Sequence, residues 1–168
     1  MAHLLETERL TLRKFTLEDD AFMFKLLTSP GWLRFIGDRN IKTHDDAKNY
    51  IATRFFDSYD KFGFGPYLVQ LKETLEPVGM CCLIKRDALE DIDIGYALLE
   101  EFAGKGYAYE ATVATLSYAV NDLGIKKIVA ITDTDNVSSI KLIKKLGMHF
   151  EKMVLLPGED EEIFLFSN

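Results

Sequence analysis

A glycine-rich turn between two regular segments is the part of this sequence best suited to chemistry. Residues 104–108 read GKGYA, after an apolar strand-like run at 92–99 and before a helix-like run at 110–123. The first amides of a helix have no intrahelical acceptor, and the helix dipole adds about half a positive charge there. Glycine has no Cβ and lets the backbone approach a ligand closely. The turn therefore predicts a site for a phosphorylated ligand.

The spacing within the turn excludes two common nucleotide motifs. A P-loop needs Ser or Thr after its lysine, whereas Gly106 follows Lys105. A dinucleotide fingerprint needs a third glycine, and Tyr109 stands at that position. The identity of the ligand therefore depends on the sequence around the turn.

Three blocks of this sequence resemble the GNAT N-acetyltransferases, in the order that the family has them. They read LETERLTLR at 5–13, DIGYALL with GKGYAYEA at 93–99 and 104–111, and IVAITDTDNVSSIKLIKKLGM at 128–148. The most similar branch is the RimJ/RimL-like one, which is named for the acetylation of ribosomal-protein N-termini. The resemblance covers nearly the whole chain and implies a single acetyltransferase domain over residues 1–168.

Composition narrows the classes of partner. The 168 residues carry a net charge of −7, so they offer no basic surface for nucleic acid or an anionic membrane. No apolar run is long enough to span a membrane. Cys81 and Cys82 are neighbours on a strand-like run and point to opposite faces, so they cannot pair with each other. Three scattered histidines indicate no zinc site. We expect a cytoplasmic monomer or homodimer without a metal.

Hydrophobic patterning predicts an alternation of strands and helices. Strands are expected at residues 9–15, 67–72, 78–84, 92–99, 127–132, 150–156 and 163–166, and helices at 16–27, 45–59, 110–123 and 137–146. Capping boxes at Thr16 and Thr43 begin the first two helices, and Ser29-Pro30-Gly31 breaks the chain after the first. This order, which the resemblance also implies, predicts an α/β (α+β) fold with a mostly antiparallel sheet of about seven strands and about four flanking helices.

The resemblance implies acetyl-CoA as the acyl donor. In GNAT folds the strand before the turn splays from the strand after its helix, and pantetheine enters between them like an added strand. The resemblance assigns pantetheine to the backbone of Leu98 and Leu99. It assigns the diphosphate to the amides of Gly104, Lys105, Gly106, Tyr107 and Ala108.

The chain also departs from the family pattern around the turn. Ala103 replaces the Gln or Arg that opens the family motif, which removes a side-chain contact but none of the main-chain donors. Tyr109 stands where the branch often has threonine, and its hydroxyl would reach a phosphate only from further away. The Lys105 side chain is open to two interpretations, a phosphate contact or a solvated turn lysine.

Two residues of the last main helix match family positions next to the reacting thioester. Asn136 matches the asparagine that contacts pantetheine, and capping of the helix by Asp135 would leave it free for that role. Many relatives protonate the departing thiolate with a tyrosine seven residues later, but here that position is Ile143. The resemblance implies that Ser139 supports the thiolate instead; a buried serine bonding back to a carbonyl is the structural alternative.

Transfer of the acetyl group requires a neutral amine and a proton acceptor. An α-amine titrates at about pH 7.7–8.0, so a carboxylate acting through water suffices. Asp91 and Asp93 lie on the strand before the turn, where relatives often have the base, and Asp93 shares a face with Gly95 and Ala97. A solvated aspartate is the alternative for each. We expect Asp93 and Ser139 as catalytic residues.

The amine that accepts the acetyl group is the least determined part of the expected reaction. The aromatic residues Trp32, Phe35, Tyr67 and Tyr96 are candidates for the acceptor pocket, although such residues are more often core. The expected function is acetylation of a protein or peptide N-terminal α-amine. The alternatives are a small amine such as a polyamine, amino sugar or drug, or an acyl-CoA-binding module without turnover, which Ala103 and Ile143 allow.

Overall fold

The computed structural model describes residues 3–168, which form one mixed sheet of eight strands. The strands are β1 (Leu5–Glu6), β2 (Leu10–Lys14), β3 (Pro66–Leu71), β4 (Pro77–Ile84), β5 (Ile92–Leu98), β6 (Ile128–Thr132), β7 (His149–Val154) and β8 (Ile163–Ser167). Their spatial order is β1-β2-β3-β4-β5-β6-β8-β7. Every neighbouring pair is antiparallel except β5 and β6, which are parallel.

Six α-helices are formed within residues 3–168. They are α1 (Asp20–Leu27), α2 (Pro30–Phe35), α3 (His44–Tyr50), α4 (Phe56–Phe62), α5 (Tyr107–Asn121) and α6 (Val137–Lys145). A π-helical segment, Ile51–Phe55, joins α3 to α4. The capping boxes predicted at Thr16 and Thr43 are both present, closed by Asp19 and Asp46. None of the helices in this part of the chain is long and apolar enough to cross a membrane.

The fold class is confirmed, although several element boundaries differ from the prediction. The two-residue β1 adds an eighth strand. After the break at Ser29, Pro30 opens α2, because the first turn of a helix needs no N–H from proline. Helix α5 begins at Tyr107 instead of residue 110, because Gly106, at φ 83°, acts as its N-cap.

The register of β4 against β5 divides the side chains of the central sheet between two faces. Directly opposite residues share a face, and the pairs include Cys81 with Tyr96 and Ile84 with Asp93. Helix α5 packs on the Tyr96 face, since its Tyr118 ring meets the ring of Tyr67, which lies opposite Cys81. We call these the Tyr96 face and the Asp93 face.

Strands β5 and β6 separate soon after they meet. Only two residue pairs join them, Ile92 with Ile128 and Asp93 with Val129. Beyond these pairs β5 runs on to Leu98 beside β4 alone. We call the space between residues 95–98 of β5 and residues 130–132 of β6 the gap. It opens in the middle of the sheet, as the resemblance implies.

Candidate functional site

The gap leaves half of a central strand without a neighbour. Asp93 and Ile94 are buried, whereas residues 95–98 are half-buried, although β5 is the fifth of eight strands. A central strand is normally covered by hydrogen bonds on both sides. The exposed half of β5 is therefore suited to pair with an extended ligand that contains amides.

Backbone directions decide which residues of β5 can pair with such a ligand. The Leu99 N–H donates to the Val78 carbonyl of β4, at 3.0 Å, and the Leu99 carbonyl accepts from Phe102, also at 3.0 Å. The expectation that Leu99 contacts pantetheine is therefore corrected, because both of its main-chain groups are used internally. Since direction alternates along a strand, the main-chain groups of Leu98 and Tyr96 point into the gap.

The glycine turn at residues 104–108 has the conformation that its sequence requires. Gly104 and Gly106 adopt φ values of 75° and 83°, a region that other residues enter only with strain. The helical hydrogen bonds of α5 begin with the bond from the Glu110 amide to the Gly106 carbonyl. The amides of Tyr107, Ala108 and Tyr109 precede that bond and have no intrahelical acceptor. Free amides of this kind at the start of a helix favour an anion.

An ion pair from the N-terminal segment holds this turn in place. The Arg9 guanidinium donates from Nε to Glu110 Oε2 at 2.7 Å and from Nη1 to the Lys105 carbonyl at 2.9 Å. The Arg9 amide and the Thr7 hydroxyl both donate to Glu110 Oε1, at 2.8 and 2.6 Å. Burial acts to raise the pKa of Glu110, but these hydrogen bonds outweigh it and lower the pKa.

The position of Arg9 makes it a support for the turn. The Lys105 carbonyl and the Gly106 amide belong to one trans peptide and point in opposite directions. Because Arg9 binds the carbonyl, the Gly106 amide points away from Arg9. A Cβ on Gly106 would lie 3.2 Å from Arg9 Nη2, so the absent side chain also makes room for this support.

Aromatic rings and lysines surround the same turn. The Lys145 ammonium lies 4.1 Å from the centre of the Tyr109 ring, so that Tyr109 joins the start of α5 to the end of α6. The Lys105 ammonium lies 5.7 Å from the centre of the Phe102 ring. Both lysines add positive charge at the N-terminal end of α5, where an anion is favoured.

Asn136 caps α6 with its own side chain. Its Oδ1 accepts from the Ser139 amide and from the Ser138 hydroxyl, both at 3.3 Å. The expectation that Asp135 would provide this cap is therefore corrected; Asp135 is exposed and lies 3.9 Å from Arg34. The Asn136 side chain keeps its NH₂ group as a donor, because capping uses only its oxygen.

Ser139 and Tyr96 lie together beside the gap. Ser139 is buried in the first turn of α6, near the Tyr96 phenol. Burial raises the pKa of Tyr96, and the nearby hydroxyl of Ser139 opposes part of that rise. Ile143, at the family tyrosine position, is 4% exposed and belongs to the core. Tyr96 is therefore the phenol that the structure places next to Ser139.

Asp93 lies at the closed end of the gap, on the opposite face of the sheet from Tyr96. Its Oδ2 accepts from Arg86 Nε at 2.9 Å, and the Ile131 amide of β6 lies near the carboxyl. Its Oδ1 is buried and has no partner within residues 3–168. Burial raises the pKa of Asp93 to about 6, against the influence of Arg86. The alternative of a solvated aspartate is therefore wrong for Asp93.

The four aromatic candidates for the acceptor pocket lie in different environments. Tyr67 is fully buried, with its ring near those of Tyr59 and Tyr118, and Trp32 is 5% exposed. Phe35 is half-buried beneath the Arg34 guanidinium. The expectation for Tyr67 and Trp32 is corrected, because both are core side chains. Tyr96 is the candidate that borders the gap.

Sequence reasoning missed the residues that support the turn. Thr7, Arg9 and Glu110 lie inside two of the blocks quoted above, but about 100 positions separate them along the chain. A partial signal was available, because a glutamate in the first turn of a helix favours a nearby cation. Nothing local to the sequence connects it to Arg9.

Comparison with known proteins gives consistent similarities. The model of the acetyltransferase (GNAT) domain matches residues 9–149. An uncharacterized N-acetyltransferase, p20 of Bacillus licheniformis, is 29% identical over 170 residues, which cover 97% of this chain and 94% of that protein.

Solved structures extend these similarities to the fold. RimL, a ribosomal L7/L12 α-N-protein acetyltransferase in complex with coenzyme A, superposes with a TM-score of 0.84 at 16% identity, over 99% of this chain and 97% of the other. A spermidine N-acetyltransferase SpeG chimera from Vibrio cholerae and hSSAT gives 0.75 at 17% identity, over 94% and 93%. At these identities the likeness concerns the fold.

Proposed function

Because the chain belongs to the GNAT acetyltransferase family, an acetyl-CoA-dependent class of enzymes, we propose that it acetylates the α-amine of a protein or peptide N-terminus. The observation that carries the proposal is the gap beside residues 95–98. It leads from the closed end at Asp93 to the glycine turn at the start of α5. Pantetheine pairs with the main chain of Tyr96 and Leu98, and the diphosphate binds the amides of residues 104–108.

The two faces of β5 divide the reaction between them. Helices α5 and α6 meet on the Tyr96 face, where Ser139 supports the departing thiolate and the NH₂ group of Asn136 contacts pantetheine. The amine approaches from the Asp93 face, where the small residues Gly95 and Ala97 leave room. Lys105 and Tyr109 lie at the outer end of the donor site, near the diphosphate.

Asp93 is the proton acceptor in this proposal. A general base works best when its pKa lies near the operating pH, and burial raises that of Asp93 to about 6. The carboxylate takes the proton of the attacking amine through a water molecule. A base of this strength suits an α-amine, of which a useful fraction is neutral near pH 7.7–8.0, better than a lysine amine at about 10.4.

The test is CoA release from acetyl-CoA with peptides as acceptors. A peptide with a free α-amine and no lysine is compared with the same peptide carrying a blocked α-amine and one lysine. We expect release, and a mass increase of one acetyl group, with the first peptide only. Release with the second peptide alone would contradict the proposal, and so would an acetyl-CoA complex that acetylates neither.

A polyamine is the second candidate, and one cluster of charges favours it. Asp133 follows β6, and burial together with the nearby charges of Asp135, Glu159 and Glu161 raises its pKa. Four carboxylates near the end of β6 suit a small polycation. Turnover with spermidine in preference to peptides would select this candidate. The double substitution Glu159→Gln with Glu161→Gln should then raise KM for spermidine and leave KM for acetyl-CoA unchanged.

A further inference from the structure

Arg86 has unused hydrogen-bond donors beside the buried carboxyl of Asp93. Its Nε donates to Asp93 Oδ2 at 2.9 Å, whereas its Nη1 and Nη2 groups donate to no residue between 3 and 168. The Arg86 side chain is 35% exposed, and that of Asp93 is 3% exposed. One edge of the guanidinium is therefore open on the Asp93 face, from which the amine approaches.

The loop between β4 and β5 holds Arg86 in place. The Lys85 ammonium donates to the carbonyls of Leu89 at 2.8 Å and Arg86 at 3.3 Å. The Leu89 amide donates to the Arg86 carbonyl at 3.2 Å. The Leu89 side chain is buried in a small apolar cluster with Val129 and Leu165. Because these contacts order the loop before a ligand binds, little further order is lost on binding.

The second oxygen of Asp93 also lacks a partner. Oδ1 is buried and accepts no hydrogen bond within residues 3–168, although buried polar atoms normally have a partner. Since Arg86 holds Oδ2, Oδ1 is the oxygen left for the water molecule beside the amine. Arg86 and Asp93 therefore present an open donor and an open acceptor next to each other.

Resting on the peptide acetylation proposed above, we propose that Arg86 binds the carbonyl oxygen of the acceptor's first residue. In such a residue the carbonyl carbon is bonded to the carbon that bears the amine. The amine therefore faces Asp93 while the carbonyl oxygen accepts from the open edge of Arg86. A polyamine offers no oxygen to the guanidinium, and its ammonium groups are repelled by it. Arg86 thus selects amines that have a neighbouring carbonyl group.

The test measures kcat/KM for two acceptors in the CoA-release assay. An alanyl peptide without lysine has the carbonyl, and difluoroethylamine is a weakly basic amine without one. Arg86→Met should lower kcat/KM for the peptide about 10- to 100-fold more than for difluoroethylamine, as expected for a lost hydrogen bond to a charged group. The substitution also changes the pKa of Asp93, but that change acts on both acceptors. The ratio of the two effects therefore reports the carbonyl contact.

A conservative variant separates the contact from the charge. Arg86→Lys keeps a cation near Asp93, but one ammonium cannot replace a guanidinium that donates to two partners. We expect kcat/KM for the peptide to fall at least about tenfold, mainly through KM, with an unchanged pH profile. Arg86→Met should shift that profile to higher pH, since Arg86 lowers the pKa of Asp93. Lys61→Met, which breaks an exposed ion pair with Asp57, is the matched control and should keep all wild-type values.

The possible outcomes separate this contact from the proposed function. Wild-type kcat/KM for the peptide in both Arg86 variants, or an equal loss with both acceptors, would overturn the contact and leave peptide acetylation intact. Free alanine tests the other source of such an oxygen. Alanine preferred over the peptide, with the preference lost in Arg86→Met, would support the contact and overturn the peptide as acceptor. Absence of turnover by the wild-type protein with every amine would overturn both.

Discussion

The two halves of β5 share a neighbouring strand on one side, but on the other side only the first half has one. Both halves pair with β4, but residues 92 and 93 also pair with β6, whereas residues 95–98 face the gap. The first half is packed into the sheet and holds the buried carboxylate of Asp93. The second half exposes main-chain groups and leads to the glycine turn. One strand therefore combines a segment that is paired on both sides with a segment that has an open edge.

The same contrast shows how part of a central strand stays open while its register is kept. In the closed half Asp93 pairs with Val129 of β6, and its carboxyl lies near the amide of Ile131, where β6 has already left β5. The open half keeps its register through β4, whose Gly79 would clash at 2.4 Å with Leu98 and the Ala97 carbonyl if it had a Cβ. The close approach of β4 and β5 thus holds the open half in place.

The closed half is tested first by removing its charge. Asp93→Asn keeps the shape of the side chain but cannot accept a proton, so kcat should fall about 100-fold or more at pH 7.5. The control is Asp91→Asn, which removes a partly exposed carboxylate paired with Lys127 and should keep wild-type kcat. An Asp93→Asn enzyme with wild-type kcat would exclude Asp93 as the base.

The stability of the closed half should depend on pH through the same carboxyl. Burial raises the pKa of Asp93 from its ordinary value of 3.8 to about 6, so the folded state holds the proton more tightly than the unfolded state. The free energy of unfolding should therefore decrease as the pH rises from about 4 to 6, by about 3 kcal/mol. Asp93→Asn lacks this carboxyl, so in urea melts its free energy of unfolding should fall less between pH 4 and pH 6.5 than that of the wild type. Parallel curves for the two proteins would contradict the raised pKa.

The open half is tested at the glycine turn that follows it. Gly106→Ala puts a Cβ at φ 83°, 3.2 Å from Arg9 Nη2. Relief of the resulting strain of about 1–2 kcal/mol should displace the amides of the turn, so KM for acetyl-CoA should rise about tenfold. Gly124→Ala is the matched control, because Gly124 has φ 69° at the far end of α5 and open space around it. Both variants should lose similar stability, and only Gly106→Ala should bind acetyl-CoA more weakly. Equal KM values would show that the turn is not the diphosphate site.

The smallest effect is expected from the support behind the turn. Glu110→Gln weakens the bonds to Arg9 and Thr7, and KM for acetyl-CoA should rise about threefold, as expected for a partly exposed ion pair. The electrostatic effect alone has the opposite sign, because removing a negative charge favours an anionic ligand. Asp57→Asn breaks an exposed ion pair with Lys61 far from the turn and should leave KM unchanged. A lower KM in Glu110→Gln would show that charge outweighs position here.

Local chemistry made much of the fold predictable. The capping boxes at Thr16 and Thr43, the glycine at 124 and the alternation of apolar residues are short-range signals, and they indicated most elements correctly. The start of α2 carried such a signal as well, since Pro30 suits the first turn of a helix. The glycine turn was recognised because its conformation depends on residues within it.

The rest of the site depends on contacts that no local pattern encodes. Leu99 was expected to bind pantetheine, but its direction follows from the register of β4 against β5, which fixes its bond to Val78. The proximity of Tyr96 to Ser139 depends on the way α6 packs beside the gap. Asp93 was expected as a catalytic residue, but its burial could not be read from its type, because it follows from the pairing of three strands.

The central claim is that acetyl-CoA completes the open half of β5, and amide hydrogen exchange resolved by NMR tests it most directly. With CoA bound, the amides of Tyr96 and Leu98 and those of residues 104–108 should exchange more slowly, because the ligand supplies their acceptors. The Leu99 amide, already bonded to Val78, should exchange at the same rate with and without CoA. Unchanged exchange at Tyr96 and Leu98 in the CoA complex would contradict this account.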